Sequence, residues 1–330
     1  MELRAISKEV KFMCLSIKPI HDDPISCMSA VLATICNYCS IDFQFVYIGS
    51  WGFYYNTDKN IRSIGERLSN CEHVEAGIRV LAKCAGLQLT VHDGFTPETA
   101  IQFIQTELND NRPVMIRTDI YWCPWNKYYQ KIRMPHFYLI IGLGSSDEII
   151  LLDPFFDIDV HKITFNQFSQ GFYKCVSYYG IDESDVQKNK VINIKQSLHY
   201  VNKVNQDMQI FLKMRDFAND IASLNMKIET NDSDDMQNVQ LFNKLNNIYL
   251  VRKSIYHAFN FVAQTDAEYT AVALQMEAIT DYWQKLKYNL MRCSIYSDYQ
   301  TRLEEMKTRM LKIADAEENL SNVLMQYAER

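Results

Sequence analysis

Three residues of this sequence have the types and the chain order of a cysteine-based nucleophilic site. Cys27 stands where a loop containing Pro24 and Ser26 runs into a helical pattern, His136 opens an apolar strand-like segment, and Asp153 ends the next one. In such sites a thiolate attacks a carbonyl carbon, an imidazole carries the protons, and a carboxylate orients the imidazole. The three residues therefore predict acyl chemistry through a covalent cysteine intermediate.

The predicted place of Cys27 at a helix start adds a physical reason for this role. A thiol there faces the positive end of the helix dipole, which stabilises a thiolate, and the unpaired backbone N–H groups can receive an oxyanion. The backbone N–H of Cys27 is the predicted oxyanion donor, and the side chain of His21 is a second candidate. Taken alone, a cysteine near a helix start is more often a packing residue, and His21 could equally be a loop residue without a role.

The segments that carry His136 and Asp153 form a predicted hairpin. Residues 137–143 and 148–152 are strand-like and flank the turn sequence Gly144-Ser145-Ser146-Asp147. In an antiparallel hairpin the start of one strand lies beside the end of the next, so His136 and Asp153 should be neighbours. The alternative is a histidine that caps a strand beside an ordinary turn aspartate. Three residues in the right order on the right elements favour the triad.

The first 180 residues show helical patterns early and strand patterns late, which predicts an α+β class. Helices are predicted at residues 28–38, 60–68, 75–83 and 97–108, and strands at residues 87–92, 114–117, 137–143, 148–152 and 173–179.

The last 150 residues contain neither glycine nor proline and keep a helical apolar periodicity. We expect a catalytic domain over residues 1–185 and an all-helical subdomain of about four helices over residues 191–330.

Composition and charge exclude several function classes. The net charge of −6 is spread evenly along the chain, so no basic face is expected, which argues against nucleic-acid binding. The apolar segments are far shorter than the ~20 residues of a membrane span, so we expect no membrane contact and a cytoplasmic protein. Nine irregularly spaced cysteines are expected to be reduced, and Cys36-x-x-Cys39 lacks the second ligand pair of a metal site. A phosphate-binding loop is missing, so ATP is not expected to be used.

The sequence resembles the butirosin-type acyltransferase family, whose fold is similar to that of papain-like cysteine proteases. The resemblance lies in residues 117–125, in His136 within Pro-His-Phe-Tyr-Leu-Ile-Ile-Gly, in Leu152-Asp153-Pro154, and in the glycine-bearing residues 49–53. It implies a papain-like arrangement of N-terminal helices and antiparallel sheet, with Cys27, His136 and Asp153 as the catalytic triad.

The resemblance also implies a function in thiotemplated natural-product biosynthesis, including antibiotics. The enzyme would transfer an acyl group from the pantetheine thioester of an acyl or peptidyl carrier protein to a small-molecule amine. One relative of this kind joins aryl and β-alanyl units to a diamine such as diaminopropane. No cofactor is expected in the protein itself, because the carrier brings the phosphopantetheine. A homo-oligomer is compatible with the sequence.

Two positions depart from the family pattern. Many relatives have histidine directly before the nucleophile, where this chain has Ser26, and related peptidases have glutamine where His21 stands. The sequence therefore does not identify the side chain that completes the oxyanion hole.

Further candidates for substrate binding follow from the family pattern and from the charge of the partners. Asp119 and Tyr121 are candidates for binding a cationic amine, although Asp119 could instead cap the following turn. Trp122 and Trp125 could stack on an aromatic acyl group or cover the core edge. An acidic helix of the carrier would need basic residues, for which the sequence offers Lys244, Arg252 and Lys253.

Two alternatives to an acyltransferase remain. A cysteine hydrolase, either a peptidase or a thioesterase, uses the same three residues and differs only in the final acceptor. A non-catalytic interaction protein that keeps a peptidase-like shell is the third class, and the intact Cys27, His136 and Asp153 argue against it.

Overall fold

The computed structural model describes the chain in eight stretches, at residues 13–21, 26–69, 74–144, 147–180, 190–231, 236, 239–296 and 298–328. The protein is α+β, as predicted: an early helix precedes an antiparallel sheet, and the C-terminal part is helical. In these stretches we find no helix that is both long and apolar enough to cross a bilayer.

The strands of the described chain form one large sheet and one small pair. Their bounds are β1 (Met13–Cys14), β2 (Tyr54–Tyr55), β3 (Leu68–Ser69), β4 (Leu87–His92), β5 (Val114–Asp119), β6 (Pro135–Leu143), β7 (Glu148–Leu152), β8 (Val160–Thr164) and β9 (Phe172–Gly180). The large sheet has the order β4-β9-β5-β6-β7-β8, with β1 beside β6, and β2 pairs with β3. All pairings are antiparallel.

All five predicted strands are present, within two residues at each end. Strand β8 was not predicted, because Ile163 is its only buried residue and an edge strand with one buried side chain has little apolar pattern.

The predicted hairpin is confirmed in strands β6 and β7. Leu139 lies opposite Leu152 and Ile140 opposite Leu151, with a register shift before Gly142. This register places the start of β6 beside the end of β7, at the same end of the sheet. Residues 145–146 of the predicted turn lie outside the described residues.

Helix α1 (Cys27–Tyr38) begins one residue earlier than predicted, with Cys27 as its first residue. Ser26 caps it: Ser26 Oγ accepts from the Ser29 N–H at 3.2 Å, and Ser29 Oγ accepts from the Ser26 N–H at 3.0 Å. Such a reciprocal cap fixes where a helix starts. Residues 22–25, which include Pro24 of the predicted loop, are not among the described residues.

The chain forms two compact units. One, the sheet unit, consists of residues up to 43 and residues 86–181, and it holds the large sheet, α1, α4 (Pro97–Asn109) and α5 (Phe165–Gly171). The other, the helical unit, consists of residues 44–85 and the residues from 182 onward. The sequence-based division kept residues 1–185 together, whereas here residues 44–85 pack with the C-terminal helices.

The helical unit contains the remaining helices of the described chain. They are α2 (Ile64–Arg67), α3 (Val74–Val80), α6 (Lys190–Asp207), α7 (Ile210–Ile221), α8 (Met226–Thr230), α9 (Gln240–Thr265), α10 (Tyr269–Cys293) and α11 (Gln300–Ala328), and a π-helical turn, Leu81–Ala85, follows α3. The described C-terminal part thus has six helices where about four were expected. The first expected helix breaks at Gln209, whose φ of 54° is left-handed, and α8 is a short extra turn before α9.

A buried polar network explains why residues 44–85 belong to the helical unit. Glu317 accepts hydrogen bonds of 2.7 to 2.9 Å from the indole N–H groups of Trp51 and Trp283 and, through both carboxylate oxygens, from Arg252. Arg252 also donates to the Gly52 carbonyl at 2.9 Å. Arg252 and Glu317 are both 0% exposed, so Arg252 cannot belong to a carrier-binding surface, and that part of the sequence prediction is wrong.

Candidate active site

The structure brings the three predicted catalytic side chains together in the sheet unit. His136, the second residue of β6, lies 2.7 Å from Asp153 between His136 Nε2 and Asp153 Oδ2. The Cys27 side chain lies near enough to the imidazole to raise its pKa. Because Nε2 faces Asp153, Nδ1 is the nitrogen left for the thiol. His136 and Asp153 are 1% and 0% exposed, so this contact is shielded from water.

The surroundings of His136 favour its protonated form. Burial by itself lowers the pKa of the imidazole, but the hydrogen bonds to Asp153 and Cys27 and the charges of the same two groups outweigh it. The net result raises the pKa of His136 from 6.5 to about 9. At neutral pH the candidate site therefore holds the imidazolium form of His136.

Cys27 differs from the other cysteines near it in access. Cys27 is partly exposed, whereas Cys36 and Cys123 are buried. Burial raises the pKa of Cys36 and of Cys123 well above 9.0, and for Cys123 the carboxylates of Asp153 and Asp119 add to the effect. These two thiols stay protonated and shielded at neutral pH, whereas the Cys27 side chain is partly accessible.

The start of α1 supplies the groups that could stabilise an oxyanion. The first N–H groups of an α-helix have no partner within the helix, and Cys27 is the first helical residue. Its own N–H is thus available next to its Sγ. Ser26, which stands where many relatives have histidine, acts here as the helix cap.

His21, the second oxyanion candidate, is held by the residue that follows Asp153. His21 Nδ1 lies 2.8 Å from the carbonyl oxygen of Pro154, which can only accept, so Nδ1 carries the proton. The neutral ring then presents Nε2 as an acceptor, and only the imidazolium could donate from Nε2.

Trp125 contacts the triad in a way that the sequence did not predict. Its indole N–H donates to Asp153 Oδ2 at 2.7 Å, the same oxygen that faces His136. The indole stacks on His161, with ring centroids 5.1 Å apart and planes 16° from parallel. His161 Nε2 in turn lies 2.8 Å from Asp157 Oδ1. Trp125 therefore orients the carboxylate, and no sequence signal links a loop tryptophan to an aspartate 28 residues later.

Asp119, a candidate for amine binding, has its carboxylate engaged by the protein. Oδ1 accepts from the N–H groups of Tyr121 and Met134 at 3.1 and 3.2 Å, and Oδ2 accepts from Arg133 at 3.0 Å. The Arg133 guanidinium also lies over the Tyr121 ring, and Trp122 packs edge-on against that ring. These contacts are those of the turn cap that the sequence left open as the alternative.

Aromatic side chains surround the buried imidazole. The rings of Phe155 and Phe156 lie 6.1 and 5.3 Å from the His136 ring, and Tyr128 packs on Phe156. The sequence carried a signal for this, because both phenylalanines directly follow Asp153-Pro154. Such a shell keeps water from the His136 imidazole.

Among the described residues there is no group of three or more His, Cys, Asp or Glu placed to hold a metal ion. Cys27 and His136 are of the types that carry out nucleophilic attack and proton transfer.

Comparison with known proteins agrees with the resemblance seen in the sequence. Residues 26–154 match the family model described as "Butirosin biosynthesis protein H, N-terminal". The matched segment includes Cys27, His136 and Asp153. No curated protein matches the chain. The narrower parallel with a diamine-acylating amide synthetase is not confirmed. Over residues 26–154, the chain is similar to the butirosin biosynthesis protein H N-terminal family.

Proposed function

We propose that this protein is an amide-forming acyltransferase, in which Cys27 receives an acyl group from the pantetheine thioester of a carrier protein and passes it to an amine. The observation that carries the proposal is the imidazole of His136, which lies 2.7 Å from Asp153 and whose pKa is raised by the nearby Cys27. The family match supports a biosynthetic acyltransferase role. The chain order of a helix-borne cysteine, a strand-borne histidine and a following aspartate supports a papain-like arrangement.

The first half-reaction uses the imidazolium as an acid. The Cys27 thiolate adds to the thioester carbonyl, and the Cys27 N–H at the start of α1 stabilises the oxyanion. The tetrahedral intermediate collapses with cleavage of the carbon–sulfur bond to pantetheine. His136 gives its proton to the departing thiolate, which leaves an acyl-Cys27 thioester and a neutral imidazole. A thioester is activated enough for this exchange without ATP.

The second half-reaction uses the neutral imidazole as a base. The amine adds to the acyl-Cys27 carbonyl, His136 takes a proton from the nitrogen, and the Cys27 thiolate leaves. This step forms the amide and restores the thiolate–imidazolium pair. Asp153 keeps Nδ1 of the imidazole directed at Cys27 throughout, and Trp125 keeps the carboxylate in place.

Amide formation requires that the amine reach the acyl-enzyme before water does. The burial of His136 and Asp153 and the rings of Phe155 and Phe156 favour this outcome, since the base is shielded from bulk water. A hydrolase would need an ordered water on the same imidazole. The acceptor is therefore proposed to be a small-molecule amine, and the only prosthetic group is the phosphopantetheine that the carrier brings.

Product analysis separates transfer from hydrolysis. Benzoyl-pantetheine is incubated with the protein, with and without 1,3-diaminopropane, and the benzoyl products are quantified by mass spectrometry. We expect benzoylated diamine from the wild-type protein and from Cys14→Ala, which removes an exposed thiol elsewhere in the sheet unit. Cys27→Ala should give no product above background. Benzoic acid as the main product in the presence of diamine would assign the protein to the hydrolases instead.

A further inference from the structure

The helical unit contains a cavity whose lining is basic. The cavity has a volume of about 380 Å³ and is lined by six residues: Arg79, Lys83, Gln196, His199, Tyr200 and Lys203. Four of the six carry or can carry a positive charge, and the cavity lining includes no carboxylate of the described residues. In a protein whose net charge is −6, such a local concentration of cations needs an explanation. We call these six residues the basic cavity.

Two helical segments build the basic cavity through regular spacing. Gln196, His199, Tyr200 and Lys203 follow the i, i+3, i+4, i+7 pattern that places side chains on one face of α6. Between Lys190 and Gln206, α6 carries three lysines and a histidine but no acidic residue. The sequence thus keeps this face free of negative charge.

Contacts inside the cavity hold its cations in place without neutralising them. The Arg79 guanidinium lies 4.1 Å from the centre of the Tyr200 ring, and Lys83 Nζ donates to Gln196 Oε1 at 3.0 Å. A ring face and an amide oxygen orient a cation but leave its charge in place. None of the carboxylates described in the structure forms an ion pair with Arg79, Lys83 or Lys203.

A second groove of the same unit shows that this lack of neutralisation is not general. The groove between α10 and α11 also contains Lys285, Arg309 and Lys312, but Glu305 and Asp315 line it as well. Arg309 is paired with Glu305 at 2.6 Å. The basic cavity is therefore distinguished by cations that no described carboxylate neutralises, and not by the number of its lysines.

We propose that the basic cavity is the docking site for an acidic surface of the carrier protein that donates the acyl group. This inference rests on the proposed function, which requires a protein donor. Cations that form no ion pair with a described carboxylate attract an acidic partner and raise its association rate, an effect that salt screens. The site replaces the basic residues expected from the sequence, of which Arg252 is buried.

The test compares a donor that needs docking with one that does not. An acyl carrier protein of net negative charge, loaded with benzoyl-phosphopantetheine, and free benzoyl-pantetheine each acylate Cys27, and the rates are measured by intact-mass analysis at low salt. The variant Lys83→Glu/Lys203→Glu reverses two charges of the basic cavity. The matched control, Lys285→Glu/Lys312→Glu, reverses two exposed lysines of the α10–α11 groove. Circular dichroism checks that both variants are folded.

Docking predicts a loss that is specific to the carrier-bound donor. In Lys83→Glu/Lys203→Glu we expect the second-order rate constant with the loaded carrier to fall by about 10-fold or more. The rate with benzoyl-pantetheine should stay within about 2-fold, and the control should react normally with both donors. Added salt should slow the wild-type protein with the carrier and leave benzoyl-pantetheine unaffected.

Three results would overturn the docking site. Equal rates of the wild type and Lys83→Glu/Lys203→Glu with the carrier would do so, as would a loaded carrier that reacts no faster than benzoyl-pantetheine. The third result concerns pyrophosphate. If pyrophosphate binds the wild type but not Lys83→Glu/Lys203→Glu, and slows acylation by neither donor, the cavity is assigned to a small phosphorylated ligand. If neither donor acylates Cys27 in the wild type, the proposed function itself fails.

Discussion

At the scale of single residues, the account depends on one carboxylate oxygen. Asp153 Oδ2 lies 2.7 Å from both His136 Nε2 and Trp125 Nε1. The two contacts fix the carboxylate from two directions, so the imidazole is directed at Cys27 rather than free to rotate. Charge-assisted hydrogen bonds of this length are stronger than neutral ones.

The raised pKa of His136 predicts a pH dependence. The acylation of Cys27 by benzoyl-pantetheine should fall as the pH rises through about 9, because the imidazolium that protonates the leaving thiolate is lost. The pKa of His136 in the folded state also lies above the ordinary 6.5. Protonation of His136 therefore stabilises the fold fully below pH 6.5, and this stabilisation is lost as the pH rises through about 9. Acylation rates measured between pH 5 and pH 10 give this alkaline limb of the pH–rate profile.

Replacing Asp153 tests the cause of that limb. Asp153→Asn removes the charge that raises the pKa of His136, so the alkaline limb should move to lower pH and the acylation rate should fall by about 10²-fold. The same pH series measures both effects. An unchanged limb would mean that Asp153 does not set the protonation of His136.

Trp125 gives a second prediction at this scale. Trp125→Phe keeps an aromatic ring but removes the N–H donor to Asp153, so kcat for benzoyl transfer should fall by about 10-fold while KM changes little. Tyr38→Phe, which removes another aromatic side-chain donor of the sheet unit, the Tyr38 hydroxyl that donates to the Asn111 carbonyl at 3.0 Å, is the control. A raised KM with unchanged kcat would instead assign Trp125 to substrate stacking.

Much of the candidate site could be predicted from the sequence, and the reason is local. Cys27, His136 and Asp153 stand at the ends of strongly patterned elements, and a hairpin places two of them side by side. The donation from Trp125 and the engagement of Asp119 by Arg133 could not be predicted, because both depend on the path of the irregular loop between β5 and β6. Periodicity carries no information about such a loop.

At the scale of elements, the start of α1 sets the position of Cys27, the proposed nucleophile. Ser26 and Ser29 cap the helix reciprocally, so that Cys27 is its first residue. The end of the sheet where β6 starts and β7 stops supplies His136 and Asp153. One helix and one hairpin of the same unit thus carry the three residues of the proposed triad, which favours the alignment of reacting groups.

The cap of α1 can be tested against a second cap in the same unit. Ser26→Ala should lower the free energy of unfolding by about 1 kcal/mol and slow the acylation of Cys27, because the first turn of α1 then frays. Thr96→Ala removes the cap of α4, whose Thr96 Oγ1 accepts from the Thr99 N–H at 3.3 Å, at a similar cost in stability. Urea unfolding and acylation rates measure the two effects. A loss of acylation in both variants would show that stability alone is responsible.

At the scale of the whole molecule, the division into two units follows interactions that pattern alone does not reveal. Helices and strands with strong periodicity were predicted well, including all five strands predicted for the sheet. The membership of residues 44–85 was not, because it is set by the specific partners of Trp51 and Gly52 in the C-terminal helices. The break at Gln209 was missed because apolar spacing continues across it.

The buried network of the helical unit predicts a large effect on stability. Glu317→Gln leaves the Arg252 charge buried without its counterion, so the free energy of unfolding should fall by about 3 to 5 kcal/mol. Arg309→Gln, which breaks an exposed i,i+4 pair with Glu305, should cost less than about 0.5 kcal/mol. Thermal unfolding followed by circular dichroism compares them. Similar midpoints for the two variants would contradict the structural role of the network.

The most direct test of the central claim is to locate the acyl group on the protein. The protein is mixed with benzoyl-pantetheine, quenched in acid, digested and mapped by mass spectrometry, and a second sample is chased with 1,3-diaminopropane before quenching. We predict a benzoyl thioester on Cys27 that disappears in the chase as benzoylated diamine forms. A benzoyl group on another residue, or one on Cys27 that the diamine does not remove, would contradict the account.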